Sequence, residues 1–546
     1  MTEVLLPLAV VAPIVVSTLP LALGLRYDRV GWPVAAIGTT VTAGIAAAIA
    51  AETVISGPFS HALGGFLPPV GIELVADRLS VAVLLLVAAV SVATLAFARI
   101  AGPHENSFYS AYLLLVGGLV GMVLTGDLFN LFVFLEITGL TTYALIAADR
   151  SGASAYASLK YLVVGTVGAS LYLLGVGYVF LATGTLNMID VQAQIVAQAG
   201  YGDPLVRASY AFIATGLALK IALFPVHSWQ PDAYQRAPDS VTTIVAALVS
   251  TASAYALIRV TYTVFTVDFL AANEGIATAI LVVSTVSIVA GSALAAIQSN
   301  LKRMFAYSSV AQFGMIGASV ALANETALLG GIVHLIGHGL VKFGLFLGTG
   351  LLALGYGTRR IGNLASAARA APYTSGAVAV LGLVLVGIPP SIGFLGKWYI
   401  GVGAVDAGLA SGGAVGIAVA TAIFVSTLFT LSYVARIIER FYFAGAGLPG
   451  DHGDAGGGDA PADGAATASR GAPADAATDG GGSPARTASG LPAPVAGAPH
   501  SSLAPDRVPT ASLIALALAA VAAVALGFGG FALAEWFDPF LTEAFT

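Results

Sequence analysis

Apolar runs long enough to cross a lipid bilayer recur fourteen times along this chain. A membrane-crossing helix needs about 20 such residues, and a backbone in lipid must satisfy its hydrogen bonds internally. The sequence is therefore committed to a bundle of membrane helices. The expected spans are approximately 3–24, 32–56, 78–100, 108–126, 128–148, 156–182, 208–226, 239–262, 274–298, 303–323, 326–355, 373–403, 408–435 and 511–536.

The composition agrees, with 58% hydrophobic and 9% charged residues against roughly 25% charge in soluble domains. There is no cysteine, which excludes disulfides, Fe–S clusters and thiolate metal sites. The net charge is −6, and seven Asp against three Arg between 446 and 508 account for most of it. No basic surface for nucleic acid follows from such a balance. The opening segment lacks a basic n-region and reads as a first transmembrane helix rather than a signal peptide.

Between the second and third spans, His61 to Arg78 is rich in Gly and Pro and then alternates in Gly71-Ile-Glu-Leu-Val-Ala. That pattern predicts a short hairpin outside the membrane. Residues 187–206 are too polar to span and suit a short surface helix. Residues 446–508 are Ala, Gly, Asp, Pro, Ser and Thr with few large apolar side chains, the composition of a disordered linker. Basic residues in the short loops set orientation. With the N-terminus outside, twelve fall in inner loops and three (Arg78, Arg207 and Arg259) in outer ones. Both termini are then extracytoplasmic and the linker cytoplasmic.

The seventh and twelfth spans share a design. One carries Lys220 before Phe224-Pro225; the other carries Gly387-Ile-Pro389-Pro390 before Gly396-Lys397. Proline removes an intrahelical bond, and the break persists in a membrane only where protein or water satisfies the freed groups. Two such breaks five spans apart point to an inverted repeat. The expected division is 1–107 (three helices and the hairpin), 108–263 and 264–445 (the five-helix repeats), 446–508 (linker) and 509–546 (last helix).

All five lysines lie inside or at the ends of apolar segments, and none lies in the hydrophilic linker. An ammonium at the bilayer centre costs about 3 kcal/mol even on lenient scales, so buried ionisable groups mark paths for protons or ions. Glu136, the only charged residue between Asp127 and Asp149, lies roughly 12 Å into its helix at 1.5 Å per residue. Lys220 is its natural partner; a locally bonded neutral Glu136 is the plainer alternative. Paired, both stay charged; separated, Lys220 can give up a proton. His334, His338 and Lys342 recur every four residues and share one helix face, and histidine both accepts and donates near neutral pH. Lys397 ends the path, unless it snorkels to the outer surface. His227, past Pro225, could pass protons inward to Lys220, and Lys160 is either anchor or path. Lys302 with Arg303 reads as an anchor at the inner face, and Asp127 as a helix N-cap. Two histidines without a carboxylate make no metal site.

These residues resemble the antiporter-like subunits shared by Mrp-type Na+/H+ antiporters, respiratory complex I and membrane-bound hydrogenases. The resemblance rests on Gly126-Asp-Leu-Phe-Asn-Leu-Phe-Val-Phe-Leu-Glu136, Lys220-Ile-Ala-Leu-Phe-Pro-Val-His-Ser-Trp229-Gln-Pro-Asp-Ala-Tyr234, Leu301-Lys-Arg-Met-Phe-Ala-Tyr-Ser-Ser309 and Gly387-Ile-Pro-Pro-Ser-Ile-Gly-Phe-Leu-Gly-Lys-Trp398. The Gly-Asp-Leu-Phe-Asn start and Gly-Lys-Trp-Tyr ending look most like the D-type branch of the Mrp antiporter subunits. The resemblance implies an all-α fold of about fourteen membrane helices with two inverted five-helix repeats. It implies a proton path through Glu136, Lys220, His334, His338, Lys342 and Lys397, with no cofactor. It also implies work inside a hetero-oligomer, as a Na+/H+ antiporter subunit or as the proton-pumping membrane subunit of a redox complex. One departure stands out: many relatives carry a lysine in the eighth helix where Val249-Ser-Thr251-Ala-Ser253-Ala-Tyr255 places Thr251. A hydroxyl can bridge through water but cannot store charge.

Overall fold

The computed structural model describes residues 2–411, 414–444 and 510–545; the predicted 446–508 linker lies outside them. The fold is all-α apart from one hairpin among the described residues. Eleven of their helices are long and apolar enough to cross a membrane. These are α1 (Leu5–Gly24), α2 (Gly31–Ser56), α3 (Arg78–Ala101), α4 (Asn106–Leu124), α5 (Leu128–Asp149), α6 (Gly152–Thr183), α8 (Asp239–Ala272), α9 (Glu274–Ala296), α11 (Glu325–Tyr356), α13 (Ala414–Phe443) and α14 (Thr510–Phe528). Three further elements complete the bundle. α7 and α12 are cut in two, as α7a (Pro204–Lys220) and α7b (Trp229–Arg236), and α12a (Pro372–Val386) and α12b (Ile392–Ser411). α10 (Leu301–Ala321) carries Lys302, Arg303, Gln312 and three serines along its length.

The hairpin pairs β1 (Phe59–Ala62) with β2 (Glu73–Ala76) in antiparallel register, Phe59 opposite Ala76. It marks one end of the bundle, here the hairpin end. A short helix, Met188–Gln194, lies in the polar stretch that follows α6.

The two repeats correspond residue by residue, a register the sequence pattern alone does not supply. α5 starts on Asp127, whose carboxylate accepts from the Asn130 N–H; α10 starts on Asn300, whose amide oxygen accepts from the Arg303 N–H. α6 and α11 are each 32 residues long and end on glycines with positive φ, Gly184 and Gly357. Leu128 N–H donates to Leu186 C=O and Met188 N–H to Gly126 C=O. Leu301 N–H donates to Arg359 C=O and Ile361 N–H to Ser299 C=O, so every partner moves by 173 residues (128 to 301, 186 to 359). The first knot sits at the hairpin end, where Gly126 N–H donates to Glu73 C=O of β2. The second sits at the far end, beside the start of α8, where Lys302 reaches Asp239. The repeats are thus inverted.

Three expectations are corrected. The eighth span runs to Phe265, a few residues past 262, through two π-helical turns, Val245–Val249 and Val260–Phe265; Thr266, at φ +69°, then sets off the short helix Thr266–Ala272. Arg259 therefore lies inside this helix and not in an outer loop. Lys302 is 2% exposed and bonded to Asp239 at 3.1 Å, so it is a buried ion-pair member rather than a surface anchor. The last span stops at Phe528, and after Gly529 a separate helix, α15 (Gly530–Phe545), turns back over the hairpin end. There the Trp536 indole N–H donates to Arg78 C=O at 3.1 Å.

Candidate functional site

α7a ends where its chain can no longer continue as a helix. Ala222 adopts φ +58°, and Pro225 follows. The freed groups find partners: Leu223 N–H bonds Ala218 C=O, Phe224 N–H bonds the Ser287 hydroxyl at 3.2 Å, and Trp229 indole N–H bonds Leu219 C=O at 3.0 Å. Lys220 is the last residue of α7a, 3% exposed. Its Nζ is 3.5 Å from Glu136 Oε1 and 3.5 Å from the Tyr143 hydroxyl. Gly139, one turn beyond Glu136, leaves the space: a Cβ there would stand 3.1 Å from Lys220 Nζ. Both Lys220 contacts are long for charge-assisted bonds, usually 2.7–2.9 Å. Glu136 Oε1 is buried and makes no closer bond. The pair is close enough to be coupled and loose enough to part.

Towards the far end, α7b holds a polar cluster. Lys160 donates to Asp232 Oδ2 at 2.7 Å and to Ser228 C=O at 2.8 Å, and Arg303 reaches Asp232 Oδ1 at 2.9 Å. Each side chain is about one-third exposed or less. His227 is buried against Phe224, with the rings 5.0 Å apart, and its Nδ1 has no partner. Lys160 is therefore tied to this cluster.

The centre of the bundle is a face-to-face match of α10 and α11. His334 Nε2 lies 2.8 Å from Gln312 Oε1 and His338 Nε2 3.4 Å from the Ser309 hydroxyl. Lys342 donates to Phe305 C=O at 2.7 Å and, by a short bond, to the Ser308 hydroxyl. Thr251 on α8 closes the set, 3.5 Å from His338 Nδ1. All are buried, and among the described residues no carboxylate pairs with Lys342. Sequence reasoning singles out the α11 stripe but not its α10 partners, although Ser308, Ser309 and Gln312 share a helical face.

Lys397 lies on α12b, 7% exposed, and does not snorkel. Its Nζ donates to Leu385 C=O and Val386 C=O, both at 2.9 Å. These are the free carbonyls at the end of α12a, the negative end of its dipole, worth about 0.3–2 kcal/mol to a cation. α12b presses closely on α11: a Cβ on Gly396 would meet His334 atoms at 2.7 to 2.8 Å. Lys397 also borders a groove of about 530 Å³ between α12b and α13 that reaches Trp398, Phe424 and Asp406.

Ionisable and hydroxyl groups thus gather at the α7 break, in the middle of the bundle and at the α12 break. The sequence profile of the family described as NADH:quinone oxidoreductase/Mrp antiporter, TM, matches residues 125–425. The chain belongs to that family. The N subunit of NADH-quinone oxidoreductase from Desulforudis audaxviator is 41% identical over 413 residues, 73% of this chain and 79% of that one. The D subunit of the Na(+)/H(+) antiporter from Bacillus subtilis is 29% identical over 384 residues, 70% of this chain and 75% of that one. Among solved structures, the membrane-bound sulfane sulfur reductase, an archaeal respiratory membrane complex, contains a chain with TM-score 0.81 and 26% identity, 99% of this chain covering 97% of it. The Mrp complex of Dietzia sp. DQ12-45-1b contains one with TM-score 0.78 and 25% identity, covering 100% and 99%. This is a multi-pass membrane protein whose structural neighbours are subunits of multisubunit membrane complexes.

Proposed function

We propose that this chain is the proton-translocating subunit of a multisubunit monovalent cation (Na+)/H+ antiporter, like the D subunit of the Mrp complex. Protons are taken up at the far end, near His227 and Lys160, and load Lys220. They pass the His334/His338/Lys342 stripe, with Thr251 beside it, and leave from Lys397 towards the hairpin end. The Glu136–Lys220 pair gates loading by closing and parting. The hairpin end is extracytoplasmic, with both termini on that side, and the 446–508 linker is cytoplasmic. Residues 1–107, the repeats 108–263 and 264–445, the linker and 509–546 are the working units.

The observation that supports this most is a buried lysine at a helix break with its carboxylate at 3.5 Å. Removing Glu136 leaves the buried Lys220 without its counter-charge, and removing Lys220 takes away the proton carrier. Glu136→Ala or Lys220→Ala should therefore abolish cation-driven proton movement in vesicles carrying the assembled complex. Undiminished transport by an assembled variant would refute the assignment.

A second reading has its own support, because the quinone-oxidoreductase relative is more alike, at 41%, than the antiporter relative, at 29%. In that reading the same path serves a redox-driven pump. Purification of the intact assembly separates the two: small antiporter subunits favour the first, Fe–S or flavoprotein partners the second.

A further inference from the structure

A second polar line branches from the path above at Thr251, and its later members belong to no part of that path. Thr251, Tyr255 and Arg259 are spaced by four on a regular α-helical stretch of α8, Ser250–Arg259, and so share one face. Thr251 touches His338. Each later member stands about 6 Å further towards the hairpin end. The Tyr255 hydroxyl donates to Val123 C=O at 2.7 Å and accepts from Arg259 Nε and Nη2 at 3.2 and 3.1 Å. Arg259 in turn reaches Asp77, the N-cap of α3, at 2.5 Å through Nη1 and 2.8 Å through Nη2. Asp77 directly follows β2. The line therefore points from the central histidine towards the hairpin end, on the side opposite the mouth at His227.

Such a line is hazardous in a protein that holds a proton gradient, since hydroxyls and trapped water carry protons in either direction. The residue placed across it is the one side chain that does not release its proton. Paired with Asp77, the guanidinium presents little net charge, so what it blocks is the hand-over of a proton, which it neither releases nor accepts. The site is built to keep that charge. Asp77 compensates it, the Phe540 ring lies 5.5 Å from the guanidinium carbon, and α15 covers the place through the Arg78–Trp536 contact. Arg259 and Asp77 side chains are only 10% and 15% exposed.

We infer that the Arg259–Asp77 pair, roofed by α15, is a plug that stops protons escaping from the central relay to the hairpin side of the first repeat. This rests on the proton-path reading. Its test measures passive leak without turnover, so the two fail separately.

The experiment uses vesicles carrying the assembled complex, with a pH gradient imposed, no transported cation present, and dye fluorescence following the decay. Arg259→Ala should speed the decay about tenfold. Arg259→Lys, which keeps a cation but a titratable one, should leak less than the alanine variant. The charge-balanced Asp77→Asn with Arg259→Gln keeps most of the packing and should leak like Arg259→Ala. A decay rate equal to the parent's in assembled Arg259→Ala or in the charge-balanced variant would overturn the plug. Failure of both to assemble would make the pair a folding element only, and would overturn it equally.

Discussion

The two broken helices place an ammonium group at the same spot by opposite routes. Counting from the prolines, Lys220 stands five residues before Pro225, and the position five before Pro390 is Leu385. The Leu385 carbonyl is one of the two that bind Lys397 Nζ. Lys397 itself stands seven residues after Pro390, where the first repeat has Asp232. One lysine grows out of the helix end and the other reaches back across the gap to it. The fold thus supplies a cation seat at each break, and the neighbours determine its chemistry. In the first repeat the seat faces Glu136. Under the 173-residue shift Glu136 corresponds to Ser309, so the second repeat has no carboxylate there, and Lys397 has only carbonyls. A carboxylate favours ammonium through charge, whereas carbonyls accept hydrogen bonds from ammonium and neutral amine alike. The first seat suits holding a proton against a partner that can be withdrawn. The second suits passing one on.

If the seat matters rather than the position, the lysine can be moved. Lys397→Ala should lower transport about 100-fold or more while assembly persists, as expected for an ionisable group in a membrane path. Adding Leu385→Lys restores an ammonium at the place corresponding to Lys220, and transport should recover most of that loss. Vesicle assays of the single and double variants decide it. A double variant as inactive as Lys397→Ala would break the equivalence of the two breaks.

A smaller effect probes how the second seat is joined to the relay. Gly396 lets α12b lie against His334, and a methyl group there would sit 2.7 Å from His334 Cβ. Gly396→Ala should push α12b outward and reduce transport about tenfold, since overpacking typically costs 1–3 kcal/mol. Gly139→Ala, where the nearest atoms are 3.1 Å away, should be milder. Equal losses would mean that contact with His334 carries no special weight.

What is legible in the sequence follows from cost. Glu136, Lys220, Lys342 and Lys397 stand out because a charge in an apolar run is expensive, so each asks for a reason. Ser308, Ser309 and Gln312 do not, because a hydroxyl can bond back to its own helix, as Ser309 does to Phe305 C=O at 3.2 Å. Arg259 reads as an outer-loop residue because it stands three residues from the expected end of its span. A guanidinium that has a carboxylate, a phenol and a ring around it can stay within a helix, and only the three-dimensional arrangement brings Asp77 to it from 182 residues away. Lys302 likewise reads as an anchor because its partner, Asp239, lies on another helix. The inverted repeat shows in the spacing of the breaks. Its register lies in backbone bonds, which carry no side-chain signature, and in caps made by different residues, Asp127 and Asn300.

The weakest predicted effect tests the asymmetry between the repeats most directly. Ser309 occupies the place of Glu136 but offers His338 only a neutral bond at 3.4 Å. A neutral hydrogen bond of this kind contributes about 0.5–1.5 kcal/mol, so Ser309→Ala should slow transport by about threefold, with assembly intact. Glu136→Ala removes a charge and should abolish it. The ratio of the two losses, measured in one vesicle assay, measures how unlike the seats are. A Ser309→Ala loss as complete as that of Glu136→Ala would mean that the hydroxyl does the carboxylate's work, and the two repeats would then act alike despite their different chemistry.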